Sequence, residues 1–259
     1  MLLDAHVHLL DLHDEKARGA VLEQSLLANP VTFFCNTTSP EQWDAVTALA
    51  PLYPSLVPFC GLHPWYTAAR APDWQERLER CAATGACRGI GEVGLDTLQG
   101  APLSLQQELL SCQIEIARAA GKPLVLHCVH AWGELLGVLG RFRALPPFMV
   151  HAFGSSIEVL EKLLEKGAYV SFWLKDLRRK REKMKPLIAR VPDQRLLLET
   201  DFPNCRFNAN GDAGIEYRRC LDAVYDETAA LRGVTSESLR RLVYDNGTIF
   251  TNPAAAGKR

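Results

Sequence analysis

The chain has 259 residues, 47% of them hydrophobic and 23% charged, with 29 Lys plus Arg against 30 Asp plus Glu. That composition is globular and excludes disordered or collagen-like classes. The near-zero balance also excludes a global positive field drawn to nucleic acid or acidic lipid, so any phosphate binding must be local.

The N-terminus Met1-Leu2-Leu3-Asp4-Ala5-His6 lacks the basic and apolar regions of a secretion signal. No apolar run reaches the roughly 20 residues needed to span a bilayer, so a cytoplasmic protein with no membrane partner is expected, acting as a monomer. The eight cysteines are scattered without a C-x-x-C pair and read mostly as small buried hydrophobes of a reducing compartment. Cys128 and Cys205 adjoin candidate ligands, yet their spacing does not favour them as ligands.

Eight short apolar runs suit strands: Leu2–Val7, Val31–Asn36, Leu56–Leu62, Gly89–Leu95, Pro123–Cys128, Phe148–Ala152, Ala168–Trp173 and Arg195–Thr200. Amphipathic stretches lie between them. In Ser104–Ala120, for example, Leu105, Leu109, Cys112, Ile116 and Ala119 recur at helical spacing. Alternation of this kind builds a parallel sheet, either open and doubly wound or closed into a (β/α)₈ barrel. The polar residues favour the barrel, because they end many different strands: His6 and His8 the first, His127 the fifth and His151 the sixth. His63 follows the third, Glu92 and Asp96 lie at the fourth, and Asp201 follows the eighth. A barrel assembles its site from the C-terminal ends of many strands, whereas an open sheet concentrates it at one switch point. The reading is one TIM-barrel domain over residues 1–251, with 252–259 a frayed tail.

His6 and His8 flank Val7, so the strand's period of two sends both imidazoles to one face, where they make a bidentate clamp. Asp4 shares that face and is placed to orient an imidazole. Glu92 interrupts the apolar run Gly89–Leu95, where an uncompensated charge costs several kcal/mol. Compensation comes either from an arginine or from two divalent ions bridged by its two oxygens. His127 and His151 each end an apolar strand, and each alone reads equally as a core histidine. Asp201 sits where the last strand opens into its loop, placed to ligate a metal and take a proton from water. Together the four histidines and two carboxylates form a metal-ligand set. Nitrogen and oxygen donors without thiolate suit Zn, Mn, Ni or Fe, and Mg less well.

The motifs Asp4-Ala5-His6-Val7-His8, Gly61-Leu62-His63-Pro64, Gly91-Glu92-Val93-Gly94-Leu95-Asp96, His127, His151-Ala152-Phe153-Gly154 and Leu198-Glu199-Thr200-Asp201-Phe202-Pro203 resemble, in order, those of the TatD family of metal-dependent hydrolases. The resemblance runs from Leu3 to about Phe250. It implies an amidohydrolase-like barrel with two divalent ions, one on His6, His8, Glu92 and Asp201 and the other on Glu92, His127 and His151. It also implies that His63 contacts substrate phosphate or water, and that the activity is deoxyribonuclease trimming of DNA from the 3′ end. Two positions depart from the family pattern: Val129 stands where an arginine is frequent, and Asn204–Asn210 replaces a basic Asn-Glu-Pro segment.

The expected catalytic residues are therefore Asp201, Glu92 and His63. The basic run Lys175–Lys185 is read either as a loop leading from the catalytic face, with Lys175, Arg178 and Arg179 placed to hold a phosphate backbone, or as a solvated helix face. Trp65 and Tyr66 are candidates for stacking a base. The rival readings are amide, lactone or other small-molecule ester hydrolysis on the same site, and a catalytically silent binding protein.

Overall fold

The computed structural model describes residues 1–27, 29–205, 208 and 210–252. The expected frayed tail from Pro253 onward lies outside the described residues, as do Arg206, Phe207 and Ala209 of the loop after Asp201.

Eight strands run in chain order: β1 Leu2–Val7, β2 Val31–Asn36, β3 Leu56–Phe59, β4 Ile90–Asp96, β5 Leu124–Val129, β6 Phe148–Val150, β7 Tyr169–Trp173 and β8 Leu196–Glu199. The helices are α1 Glu15–Leu22, α2 Trp43–Leu49, α3 Trp74–Ala82, α4 Leu103–Ala120, α5 Trp132–Gly140, α6 Ile157–Glu165, α7 Leu174–Arg179, α8 Arg181–Arg190, α9 Ala213–Arg232 and α10 Ser236–Thr251. All strand pairs are parallel, in the orders β1-β2-β3 and β4-β5-β6-β7-β8.

Two seams join these sheets into a barrel. At one, Cys60 N donates to Gly89 O (3.1 Å) and Gly91 N to Cys60 O (3.1 Å). At the other, Asp201 N donates to His6 O (3.0 Å) and His8 N to Phe202 O (2.8 Å). Closure leaves no exposed edge, and the expected TIM barrel is the observed fold.

Several strand bounds shift from expectation, and at the ends of β3, β4 and β6 the local reason is visible. Beyond Phe59 the chain stays extended, but Leu62 pairs with a side chain: Gln113 Oε1 accepts from Leu62 N (2.8 Å) and Gln113 Nε2 donates to Leu62 O (3.1 Å). At the end of β4, Gln106 clasps Asp96 in the same way, through N (2.8 Å) and O (2.9 Å). On β6 the chain turns at Ala152, whose φ is 45°. The buried stripe of α4 is therefore Gln106, Leu109, Leu110, Gln113, Ile114, Ile116 and Ala117; the expected Leu105 and Cys112 are only half-buried and Ala119 is exposed. Its two buried glutamines satisfy backbone groups that have no strand partner.

The basic run is helical rather than a loop, forming α7 and α8. Leu174, Leu177, Met184, Leu187 and Ile188 are buried at helical spacing, and Leu, Lys, Arg and Glu are good helix formers. No helix among the described residues is long and apolar enough to cross a membrane.

Candidate metal centre

Five histidines at or just beyond the ends of strands β1, β3, β5 and β6 converge on Glu92 of β4. Its Oε1 lies 2.7 Å from His127 Nδ1, 2.8 Å from His151 Nε2 and 3.2 Å from His63 Nε2. Its Oε2 lies 3.1 Å from His8 Nε2 and 3.2 Å from His6 Nε2. Asp201, in the left-handed region at φ 53° that Asp tolerates better than most residues, brings Oδ1 to 3.5 Å from His8 Nε2 and 4.0 Å from His6 Nε2. The structure thus brings together all six expected ligands, with His63 beside them, and all are at most 9% exposed.

The far nitrogens of the rings decide what the near ones can do. His8 Nδ1 donates to Asn36 O (3.1 Å), so its Nε2 presents a lone pair when the ring is neutral. His127 Nε2 faces Asp96 Oδ2 (3.2 Å) and His151 Nδ1 faces Glu199 Oε1 (3.3 Å), leaving the nearer nitrogen of each aimed at Glu92. A carboxylate behind an imidazole fixes its tautomer and raises its basicity, as in metal sites generally. His63 is different: its Nδ1 accepts from Trp65 N (3.2 Å), so its Nε2 carries the proton and donates toward Glu92. That makes His63 a hydrogen-bond donor at the mouth and a poor ligand.

The donor set fits a metal. His6 and His8 bring their Nε2 atoms to 2.9 Å, and His127 Nδ1 and His151 Nε2 lie 3.1 Å apart. Lone pairs at such separations repel unless a proton or a shared cation lies between them. The charge balance agrees. Burial opposes the charged form of Glu92, but the imidazoles of His151, His63 and His6 hold it well below the usual carboxylate range. Burial likewise opposes protonation of His8, yet Glu92 and Asp201 carry it up to about 9, and Glu92 with Glu199 raises His151 well above its ordinary value. Buried His6 and His63 are driven down to about 4. Without metal the centre holds protons on selected histidines; cations compete for the same lone pairs.

Glu199 and Asp96 complete the support. Glu199 is fully buried behind His151 and also accepts a short hydrogen bond from Ser171 Oγ. Asp96 Oδ2 accepts from Trp65 Nε1 (2.6 Å) while facing His127. Sequence reasoning had no role for Glu199, although a carboxylate ending the apolar run from Leu196 carried the signal that singled out Glu92. Glu199→Gln is expected to lower activity and metal affinity about 10- to 100-fold while leaving the fold intact. Isothermal titration with Zn²⁺ beside a rate assay checks this, and unchanged affinity would remove Glu199 from the support of His151.

Asp4 does not orient an imidazole. Its oxygens accept from Thr200 N (2.9 Å), Thr200 Oγ1 (2.6 Å) and His6 N (3.3 Å), pinning β1 to the end of β8. His6 Nδ1 is buried with no hydrogen-bond partner among the described residues. Burial outweighs Asp4's three hydrogen bonds and pushes its carboxyl up to about 7. A carboxyl whose folded pKa exceeds its unfolded value near 3.8 holds its proton more tightly in the native state. Its stabilising contribution is complete below pH 4 and is lost as pH rises to 7. Asp4→Asn should therefore flatten that part of the stability curve of metal-stripped protein. Parallel curves for both proteins in urea melts from pH 4 to 7.5 would contradict this.

The basic residues lie at the rim and beyond. Lys175 Nζ lies 5.0 Å over the ring of Trp173, the last residue of β7, whereas Arg178 is 3.5 Å from Glu227 of α9. Arg179 is exposed on α7. Trp65 and Tyr66 are 45% and 42% exposed beside His63.

A closed barrel that gathers imidazoles around one buried carboxylate at its mouth is the architecture of a metal-dependent hydrolase acting on ester bonds. The family profile described as TatD related DNase matches residues 3–250, and the chain belongs to that family. It is 28% identical to the 3′-5′ ssDNA/RNA exonuclease TatD of Dickeya dadantii, over 99% of this chain and 100% of that protein. It is 34% identical to the protein of the same description from Edwardsiella piscicida, over 60% of this chain and 61% of that one. Among solved structures, the TatD homologue YJJV of Escherichia coli superposes with a TM-score of 0.83 at 25% identity, covering 96% of each chain. A TatD family hydrolase from Entamoeba histolytica gives 0.77 at 17% identity, covering 97% of this chain and 98% of the other, a likeness of fold.

Proposed function

We propose that this protein is a 3′-5′ exonuclease of single-stranded DNA or RNA that uses two divalent ions, acting as a cytoplasmic monomer. The observation that carries the reading is the convergence of five imidazoles on both oxygens of Glu92, with Asp201 beside His8 and His6, in a chain similar along its whole length to a 3′-5′ ssDNA/RNA exonuclease. His6, His8, Glu92 and Asp201 would hold one ion, and Glu92, His127 and His151 the other. Bound there, the ions supply Lewis acidity that makes hydroxide available near neutral pH and offsets phosphoryl charge.

The chain's own groups do the rest. Burial lifts the Asp201 carboxyl to about 6 in the metal-free protein, and its place beside His8 at the mouth sets it to accept a proton from the attacking water. Asn204 Nδ2 (3.3 Å) and His8 Nε2 (3.5 Å) engage its Oδ1, which leaves Oδ2 to take that proton. His63 Nε2–H donates to a phosphoryl oxygen. Trp65, held through Asp96, and Tyr66 stack the terminal bases, and Lys175 contacts the backbone phosphate; Arg178 and Arg179 lie farther along α7, with Arg178 sharing its charge with Glu227.

The test is digestion of a 5′-labelled single strand by protein reconstituted with Zn²⁺, Mn²⁺, Ni²⁺, Fe²⁺ or Mg²⁺. A ladder shortening from the 3′ end, abolished by a blocked 3′ terminus, is the expected result. Absence of cleavage with every ion, despite stoichiometric metal binding, would reject nucleic acid in favour of a small phosphoester, amide or lactone.

A further inference from the structure

Outside the mouth, three cysteines from three successive segments of the chain meet on the outer wall of the barrel. Cys60 follows β3, Cys81 lies on α3, and Cys87 precedes β4. Phe59 packs inward against Phe34 and Phe250, so the next side chain along the extended strand, Cys60, projects outward toward α3. The three Sγ atoms lie within 4.8 Å of one another; Cys60 and Cys87 are buried and Cys81 is half-exposed. Sulfurs bound to one zinc ion at about 2.3 Å stand about 3.8 Å apart in a tetrahedral site, so this triangle needs little adjustment to close on an ion.

We propose that Cys60, Cys81 and Cys87 form a second metal site that takes a thiophilic divalent ion, Zn²⁺ in the first instance, through three thiolates. Three sulfur ligands leave a fourth tetrahedral position for water. Cys81 lines a cavity of about 520 Å³ between α2 and α3, bounded also by Trp43, Asp44, Arg77 and Arg80, which provides an access path and room for that water. The three thiols release three protons on binding, so a divalent ion leaves one net negative charge. The surroundings answer it: Lys122 Nζ donates to Cys87 O (2.8 Å) and Thr84 O (3.4 Å), and Arg77 and Arg80 outnumber Asp44 around the cavity. Thiolates select zinc and other soft ions, whereas the mouth presents only nitrogen and oxygen, so the two sites differ in chemistry. The inference does not depend on the substrate of the mouth.

Co²⁺ separates the sites, because only sulfur ligation gives the intense near-ultraviolet thiolate-to-cobalt charge-transfer band. Reduced full-length protein titrated with Co²⁺ is expected to develop that band to one equivalent per chain and to lose it when Zn²⁺ is added. Cys81→Ser should abolish the band and one bound equivalent while nuclease activity stays within about twofold of wild type. Cys128→Ser, a control for the thiol next to His127, should keep both. If Cys81→Ser does not fold, Cys81→Ala serves in its place, because the side chain is partly exposed. A wild-type protein with its mouth loaded and no band overturns the proposal, and so does a band that survives loss of Cys81.

Discussion

Glu92→Gln should reduce kcat on a single-stranded substrate by on the order of a thousandfold or more and lower bound metal from the two ions proposed to at most one. The amide matches the carboxylate in shape, so packing is preserved and the change is one of charge and ligation. Both oxygens are committed, Oε1 to His127, His151 and His63 and Oε2 to His8 and His6, and Glu92 is 2% exposed. Neutralising it removes the one anion common to both halves of the centre. It also removes the strongest influence that raises His8 against the effect of burial, so His8 in the metal-free variant should titrate well below about 9. Metal analysis, single-turnover rates and NMR titration of the imidazoles read these three effects. A variant retaining two ions and a tenth of the wild-type rate would overturn the bridging role.

Gly94→Ala is expected to cost about 3 kcal/mol or more and to remove metal binding with it. Gly94 pairs with His127 across β4 and β5 and has φ 150°, a conformation L side chains rarely adopt. A Cβ there would meet His127 O at 2.0 Å and His127 C and N at 2.8 Å, all backbone atoms with no rotamer to change. Relief requires separating the two strands that present Glu92 and His127. Urea denaturation beside metal titration checks this; a variant with the wild-type midpoint would mean that the strands part at little cost.

Much of the centre was legible along the chain. Period-two alternation places His6 and His8 together without any tertiary information. The cost of burying a charge in an apolar run singled out Glu92, whereas His127, His151 and Asp201 joined the set through their common position at the ends of strands. Glu199 carried the same signal, but its neighbour Asp201 offered a simpler ligand at the same strand end. Charge density leaves the basic run open between a loop and a solvated helix face, and the buried spacing of Met184, Leu187 and Ile188 decides for the helix.

Other features depend on contacts between distant segments. Asp4 finds Thr200 across 196 residues, Gln113 reaches Leu62 across 51, and His151 meets Glu199 across 48. Which nitrogen of His63 bears the proton depends on the turn that brings back Trp65 N. The thiol triangle follows from the seam where β3 meets β4, which carries Cys60 and Cys87 to the same side of α3. By itself the sequence determined the strand-helix alternation and the strand-end candidates for metal ligation, because these rest on local periodicity and on the cost of burying charge. Ring tautomers, the second carboxylate behind His151 and the clustering of cysteines were decided only by the tertiary structure, because hydrogen-bond geometry and desolvation depend on which distant groups arrive at the same place.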